Sequence, residues 1–452
     1  MLEIGFASVK INPPLGIGVY GYYVPRYASG ILDDLETTAL AIRCGEKTVV
    51  IVSVDNGGLD KVMVGEVTAK IKEVAGIDEN SVFVSATHTH TAPLIAETSM
   101  FDADMDVVRE YRQLIIDKTA EAVKAALLDF VPARMGFAVG RAPDRIAYIR
   151  RYRMKDGTTQ TCPPINDPNI EGPIGELDQR VNVLRFARDG KDDVVLLNYG
   201  LHADTVNGDM ISADWPGQLK KTLRAAIGAE CIVVVGAQGD VGSTNVHPIP
   251  GDMNDTEISF DNEMKSPGMA RFVGRALAGT VLQVFDKVEF VDVYSIDIIK
   301  RDIHVPSNMP TPEELPRAKE YARLHEEGRD DLIPFEAMEL TTVVAEAIRM
   351  CKLENGPESF VLPLTALRIG NVAFLGIPGE PFTGIGVGIK EASGWDLVLP
   401  SAISGGYEGY FPMQSAFDEG GYEARSSRYK GGVAEIIIKE GKKLLNELKC
   451  KR

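Results

Sequence analysis

Ser81-Val-Phe-Val84, with the Ser85-Ala-Thr-His-Thr-His-Thr-Ala-Pro93 that follows it, decides how this chain reads. The first four residues form a short apolar run of strand character. Alternation carried into the polar part points His88 and His90 to one face of an extended chain. Two imidazoles at i and i+2, just beyond a strand's C-terminal end, can reach one ion or one reacting group. Neutral imidazole is the commonest protein ligand for zinc, and near neutral pH it also carries protons. The competing reading is a surface loop with two solvated histidines. It is disfavoured because the chain has only six histidines and two of them sit here.

Around this corner the pattern is strand, helix, strand, helix. Residues 37–43 and 48–54 read as two strands about a Gly45-Glu-Lys turn, 59–76 as a helix, 81–84 as a strand and 105–129 as a long helix. That alternation predicts an α/β protein: a mixed β-sheet core with flanking helices, its functional groups at the C-terminal ends of strands. Gly16-Ile-Gly-Val-Tyr-Gly-Tyr-Tyr23 mixes aromatics with glycines and reads as a pocket-lining loop. Asp55 ends a strand and is either a supporting acid or a turn residue.

Composition bounds the answer. With 452 residues, 44% hydrophobic and 25% charged, the chain has the usage of an ordinary globular protein, here taken as a single domain over 1–452. A net charge of −17 excludes the basic footprint that nucleic acid binding needs. No run of about 18 apolar residues occurs, so no stable membrane insertion is expected. The start lacks a basic-then-apolar leader pattern, which predicts a cytoplasmic protein. Five scattered cysteines without a CxxC exclude a thiolate zinc site.

Further along, Arg141, Arg145, Arg150, Arg151 and Arg153 interleave with Tyr148 and Tyr152, a cluster suited to clamping a carboxylate or polar substrate. His202 follows the strand 194–198, where a third ligand would be useful. Asp214-Trp-Pro-Gly217 opens a helix with Asp214 or Ser212 as its cap. Gly239-Asp240-Val-Gly-Ser243, after the buried-type strand 231–236, offers backbone N–H groups and a hydroxyl to an oxyanion. Ser243 lacks the GxSxG setting of a triad nucleophile. Glu380 follows another strand end, and Tyr407, Glu408 and Tyr410 share a glycine-rich loop after the strand 397–401. Residues 305–355 form a polar helical insert, read as a lid or a dimerisation element, which leaves a homo-oligomer open. No internal repeat is visible.

Thr87-His-Thr-His90 with Pro93, the His202 strand end, Gly239-Asp-Val241, Pro378-Gly-Glu380 and the Tyr407/Tyr410 loop, in this order, resemble the neutral/alkaline ceramidases from about residue 3 to 430. The resemblance implies an α/β zinc amidase. Its Zn²⁺ ligands would be His88, His202, Glu380 and Tyr410, with His90 as the acid/base. Arg141, in Gly-Arg-Ala-Pro, and Tyr407 would face the substrate, and Asp240 and Ser243 would serve catalysis. Two departures matter. The family's serine aligns with Gly242, or with Ser243 only if one residue is inserted. The leader and C-terminal β-sandwich of the extracellular members have no counterpart here. The expected substrate is therefore a small-molecule amide or N-acyl compound rather than ceramide. The alternatives are a catalytically inactive metal-binding module, or an esterase or lactonase on the same site.

Overall fold

The computed structural model describes residues 1–96, 104–249 and 265–451. Two sheets pack face to face, and helices cover their outer sides. The larger sheet contains, in chain order, β1 (Leu2–Lys10), β2 (Glu36–Cys44), β3 (Lys47–Val54), β4 (Val82–Ala86), β5 (Val131–Arg141), β6 (Arg180–Arg188), β7 (Val194–Tyr199) and β8 (Glu230–Val235), with β9 (Glu289–Val291) added beside β5. Its spatial order is β8-β7-β6-β5-β1-β2-β3-β4. The smaller sheet is β10 (Ile296–Pro306), β11 (Ser359–Ile369), β12 (Val372–Gly376) and β13 (Leu397–Ser401), in that order.

The period-2 alternation of these strands explains the layering. Ile4, Phe6, Leu40, Ile42, Val49, Ile51, Phe83, Leu184, Phe186, Ile232 and Val234 meet Leu367, Ile369, Phe374 and Leu399 of the smaller sheet in one apolar layer. The intervening Ala39, Ala41, Val50, Val52 and Val84 face α1 (Lys61–Ala75) and α2 (Met105–Leu128). Val183, Leu197 and Val233 face α3 (Asp214–Ile227) and α4 (Pro267–Phe285). On the far side, Leu364, Ala373 and Leu375 pack on α7 (Thr383–Lys390) and α8 (Val433–Cys450). Gly5 lets α2 lie directly on β1, since a Cβ there would sit 1.8 Å from the Ala126 carbonyl oxygen.

One unit occurs three times: an antiparallel hairpin, then a helix, then a strand parallel to the hairpin's second strand. It is β2-β3-α1-β4, then β6-β7-α3-β8, then β11-β12-α7-β13. The C-terminal ends of the three parallel pairs converge. Ser53 Oγ of β3 donates to Val233 O of β8 at 2.6 Å, so the two arms of the larger sheet curl toward each other. The chain leaving β13 stitches both arms: Ala402 N donates to Val235 O, and Ala86 N donates to Ile403 O.

The insert is a hairpin of α5 (Leu315–Glu326) and α6 (Ala337–Leu353). It is anchored by Arg425, which pairs with Glu339 and Glu346, each at 2.6 Å. Asp55 is buried and takes Lys220 Nζ and Glu36 N, as a support for the β2–β3 end. The helix start at Asp214 departs from expectation: Ala213 holds the cap position and Asp214 opens the helix with a left-handed φ of 55°. The Asp214 carboxylate is turned instead onto Thr205 and Val206, beyond His202. Among the described residues no helix is long and apolar enough to cross a membrane.

Asp178, just before β6, accepts from Arg180 Nε and from Lys390 Nζ at the end of α7, both at 2.7 Å. Burial raises its pKa, but Arg180 and Lys390 outweigh burial and bring it from 3.8 down to about 2. A carboxyl depressed in the folded state contributes stability above its unfolded pKa and loses it as pH falls through the folded value. Asp178→Asn is expected to lower the urea midpoint near neutral pH, and to flatten the loss of stability between pH ~4 and ~2. Superimposable pH–stability curves for wild type and variant would show that this bond carries no folding energy.

Candidate metal centre

His88 comes from the end of β4, His202 from the end of β7 and Glu380 from the turn after β12, so each of the three units supplies one residue. His88 is not extended, as the alternation predicted; its φ is 62°. A non-glycine residue in the left-handed region costs roughly 1–3 kcal/mol and persists only where its surroundings hold it. Here the hold is twofold: His88 N donates to Asn56 O at 2.9 Å, and the ring Nδ1 bonds Gly57 O. His202 Nδ1 likewise lies 2.8 Å from Gln238 O and 2.9 Å from Val241 O. A carbonyl only accepts, so in both rings Nδ1 carries the proton and Nε2 keeps its lone pair.

Those two lone pairs converge on one carboxylate oxygen. Glu380 Oε2 lies 2.8 Å from His202 Nε2 and 3.3 Å from His88 Nε2, with all three side chains buried. Burial and nearby Arg150 push His202 below its ordinary pKa. His88 is raised, because Glu380 overcomes the opposing effect of burial. Glu380, despite burial, is held well below the ordinary carboxyl value by the two imidazoles. Electron pairs aimed at one point need a proton or a cation between them, and this N/O donor set suits zinc or a similar divalent ion. His88, His90 and His202 also form a group whose ligand atoms lie within 4.8 Å of one another. The residues present therefore fit a metal ion.

His90 lies edge-on to His88, with Nε2 to Nε2 at 3.3 Å. Its buried Nδ1 faces Asp204 Oδ1 at 3.8 Å, and burial pushes its pKa well below the ordinary value although Asp204 opposes this. Asp204 is held in turn by Lys265 at 2.7 Å and the Tyr22 hydroxyl at 2.8 Å. The aromatic glycine loop supplies the walls. Tyr20 sits edge-on to both His88 and His90, and Tyr22 sits edge-on to His90.

The two tyrosines take different places. Tyr407 OH donates to Glu380 Oε1 at 2.8 Å, so it orients the carboxylate, where a substrate contact was expected. Tyr410 lies opposite Glu380 in the short parallel pairing of Glu380–Pro381 with Tyr410–Phe411, and its hydroxyl bonds Arg150. Asp240 is turned toward the start of α7, where it accepts from Thr383 N and Oγ1 at 2.7 and 2.9 Å. It fixes the segment that carries Glu380 instead of pointing at the histidines. Ser243 is buried and its hydroxyl has no hydrogen-bond partner among the described residues.

Arg141 is the clear departure. It ends β5 with its side chain 71% exposed, in an ion pair with Asp144 at 3.4 Å. The chain turns back after it, and pairing of Tyr148–Ile149 with Val241–Gly242 brings Arg150 inward instead. Arg150 Nη1 lies 3.5 Å from His202 Nε2 and Nη2 donates to Gly239 O at 2.8 Å. Its Nε pairs with buried Glu423 at 2.7 Å. Arg150 stood in the arginine–tyrosine cluster and Tyr20 and Tyr22 in the aromatic glycine loop, while Asp204 lies just beyond His202. Glu423, a single glutamate in a helical turn, carries no such signal.

Buried imidazoles and a carboxylate gathered at the strand ends of two packed sheets define a class of α/β fold with a candidate metal centre. The particular fold is that of the neutral ceramidases. The chain aligns over 99% of its length with the neutral ceramidase from Pseudomonas aeruginosa, at a TM-score of 0.74 and 18% identity, covering 74% of that chain. A ceramidase complexed with C2 aligns over 99% as well, with a TM-score of 0.72, 18% identity and 75% of that chain covered. No family model matches, and no curated protein matches by sequence. The resemblance carried by the motifs thus holds for the fold.

Gly239 gives the site a mechanical test. A Cβ there would stand 2.5 Å from the Glu380 carbonyl oxygen, a backbone atom with no freedom to rotate away. Gly239→Ala is expected to displace Glu380 and weaken metal binding about 10–100-fold, the range found for lost supporting contacts. Competition against a fluorescent chelator measures it, and an unchanged affinity would detach Gly239 from the centre.

Proposed function

We propose that the chain is a zinc-dependent hydrolase that cleaves the amide bond of a small or N-acylated molecule. The observation that carries this reading is the meeting of His88 Nε2 and His202 Nε2 at Glu380 Oε2, with both Nδ1 atoms tied to backbone carbonyls. His88, His202 and Glu380 would hold the metal, with Tyr410 as fourth ligand and Tyr407 steadying Glu380. When bound, zinc supplies a water of lowered pKa and polarises a carbonyl.

The protein's own groups do the rest. His90, neutral at the working pH, takes a proton at one ring nitrogen and delivers it to the leaving amine, a role typically worth about 10²–10⁴-fold. Asp204, near His90 Nδ1, favours the imidazolium formed on the way. The Ser243 hydroxyl, without a partner among the described residues, is available to a developing oxyanion. Tyr20 and Tyr22 pack around the histidines and exclude water from them.

The test is metal content by elemental mass spectrometry, paired with cleavage of a panel of N-acyl amides before and after chelation. About one zinc per chain and chelator-sensitive cleavage are expected. His88→Ala and His202→Ala should each remove the metal; retention of stoichiometric zinc by both variants would defeat the ligand assignment. His90→Gln separates two roles for the third histidine. As the acid/base it should keep the zinc and lose roughly 10²–10⁴-fold in kcat. Loss of zinc from this variant would make His90 a ligand.

A further inference from the structure

Arg150 is a fully charged side chain brought to the edge of the cluster by no feature of the ligand set itself. A guanidinium has five N–H donors and no acceptor. Gly239 O and the Tyr410 hydroxyl engage two of them, and Nε lies 2.7 Å from Glu423 in an ion pair without a hydrogen bond among the described residues. Nη1 makes only a long contact, 3.5 Å, to His202 Nε2, whose lone pair also faces Glu380 Oε2 at 2.8 Å. Unfilled donors of a buried guanidinium are costly unless an acceptor arrives.

The surroundings also hold polar groups without partners. The loop that flanks Arg150 contains Gln238, fully buried, and Ser243, also buried; among the described residues neither side-chain amide atom of Gln238 nor the Ser243 hydroxyl has a hydrogen-bond partner.

We propose that Arg150 recognises a carboxylate on the substrate, next to the bond that is cleaved, so that the substrate is an amide bearing a free carboxylate. The inference rests on the amide-hydrolase reading and narrows it. A planar fork matched to a carboxylate gives orientation as well as attraction. Nη1 is placed so that a group held at the histidines has its neighbouring atoms within reach. The carboxylate lies on the amine part or on the acyl part of the substrate, and the probes separate the two.

The experiment measures binding by isothermal titration calorimetry, on metal-loaded and metal-stripped wild-type protein. N-acetylglycine and succinamic acid are compared with their uncharged counterparts, N-acetylglycinamide and succinamide. At least a tenfold preference for one acid over its amide is expected in both forms of the protein, and which acid shows it assigns the side. The double variant Arg150→Gln/Glu423→Gln removes the ion pair together and leaves no unpaired buried carboxylate. Its preference should fall to less than threefold. Equal binding of acid and amide by the wild type overturns the proposal. So does a preference that disappears with the metal, or one that survives in the double variant, since the metal or another group would then bind the carboxylate. If the double variant does not fold, the metal-stripped wild type still decides. Because the readout is binding, a chain without zinc or amide cleavage would defeat the functional reading while leaving the carboxylate preference measurable.

Discussion

The whole molecule is arranged around one carboxylate oxygen, Glu380 Oε2, that receives the lone-pair nitrogens of two buried imidazoles. Such a meeting is expensive: three polar side chains leave water, and two of them present electron density to the third. It survives because each ring is fixed from behind. Gly57 O sets the His88 tautomer, Gln238 O and Val241 O set that of His202, and the Tyr407 hydroxyl holds the other Glu380 oxygen. Outer contacts of this kind determine orientation and basicity in metal sites as much as the ligands do.

The fold supplies these constraints by repetition. Three hairpin-helix-strand units each end in a parallel pair, and only a parallel pair delivers two chain exits to the same edge of a sheet. Exits from β3 and β4 carry Asn56, Gly57 and His88. Those from β7 and β8 carry His202 and the 238–243 loop, and those from β12 and β13 carry Glu380 and the tyrosines. The curl of the larger sheet, with Ser53 bonded to Val233 O, brings the first two sets together, and the chain after β13 closes the third onto them.

Much of this was legible in the residues. Apolar runs and their breakpoints located the strands, and the rule that function collects at strand ends singled out His88, His90, His202, Glu380 and the tyrosine loop. The threefold repeat was not visible, because it resides in pairing pattern and handedness while the units differ in strand length, loop length and residue identity. Local geometry misled in two places. The strand alternation at His88 gives way to a left-handed residue that only tertiary bonds can enforce. Arg141 and Arg150 have the same chemistry nine residues apart, and which one turns inward is decided by the pairing of Tyr148–Ile149 with a distant strand. Glu423, opposite Arg150 in sequence terms by 273 positions, belongs to a contact that no local pattern encodes.

The separation of the ligands along the chain has a consequence for how the protein is made. His88 and His202 leave the ribosome with the larger sheet, whereas Glu380 and the tyrosines follow after the fold's second sheet has begun to form. Until then the two imidazoles face an unfinished cavity, and a nascent chain offers an incoming ion only part of its cage. An ion held by all three residues would be captured tightly only once the last unit closes over the first two, and its loss would loosen the same seam. In a protein built in this way a metal ion would act as a seal on completed folding.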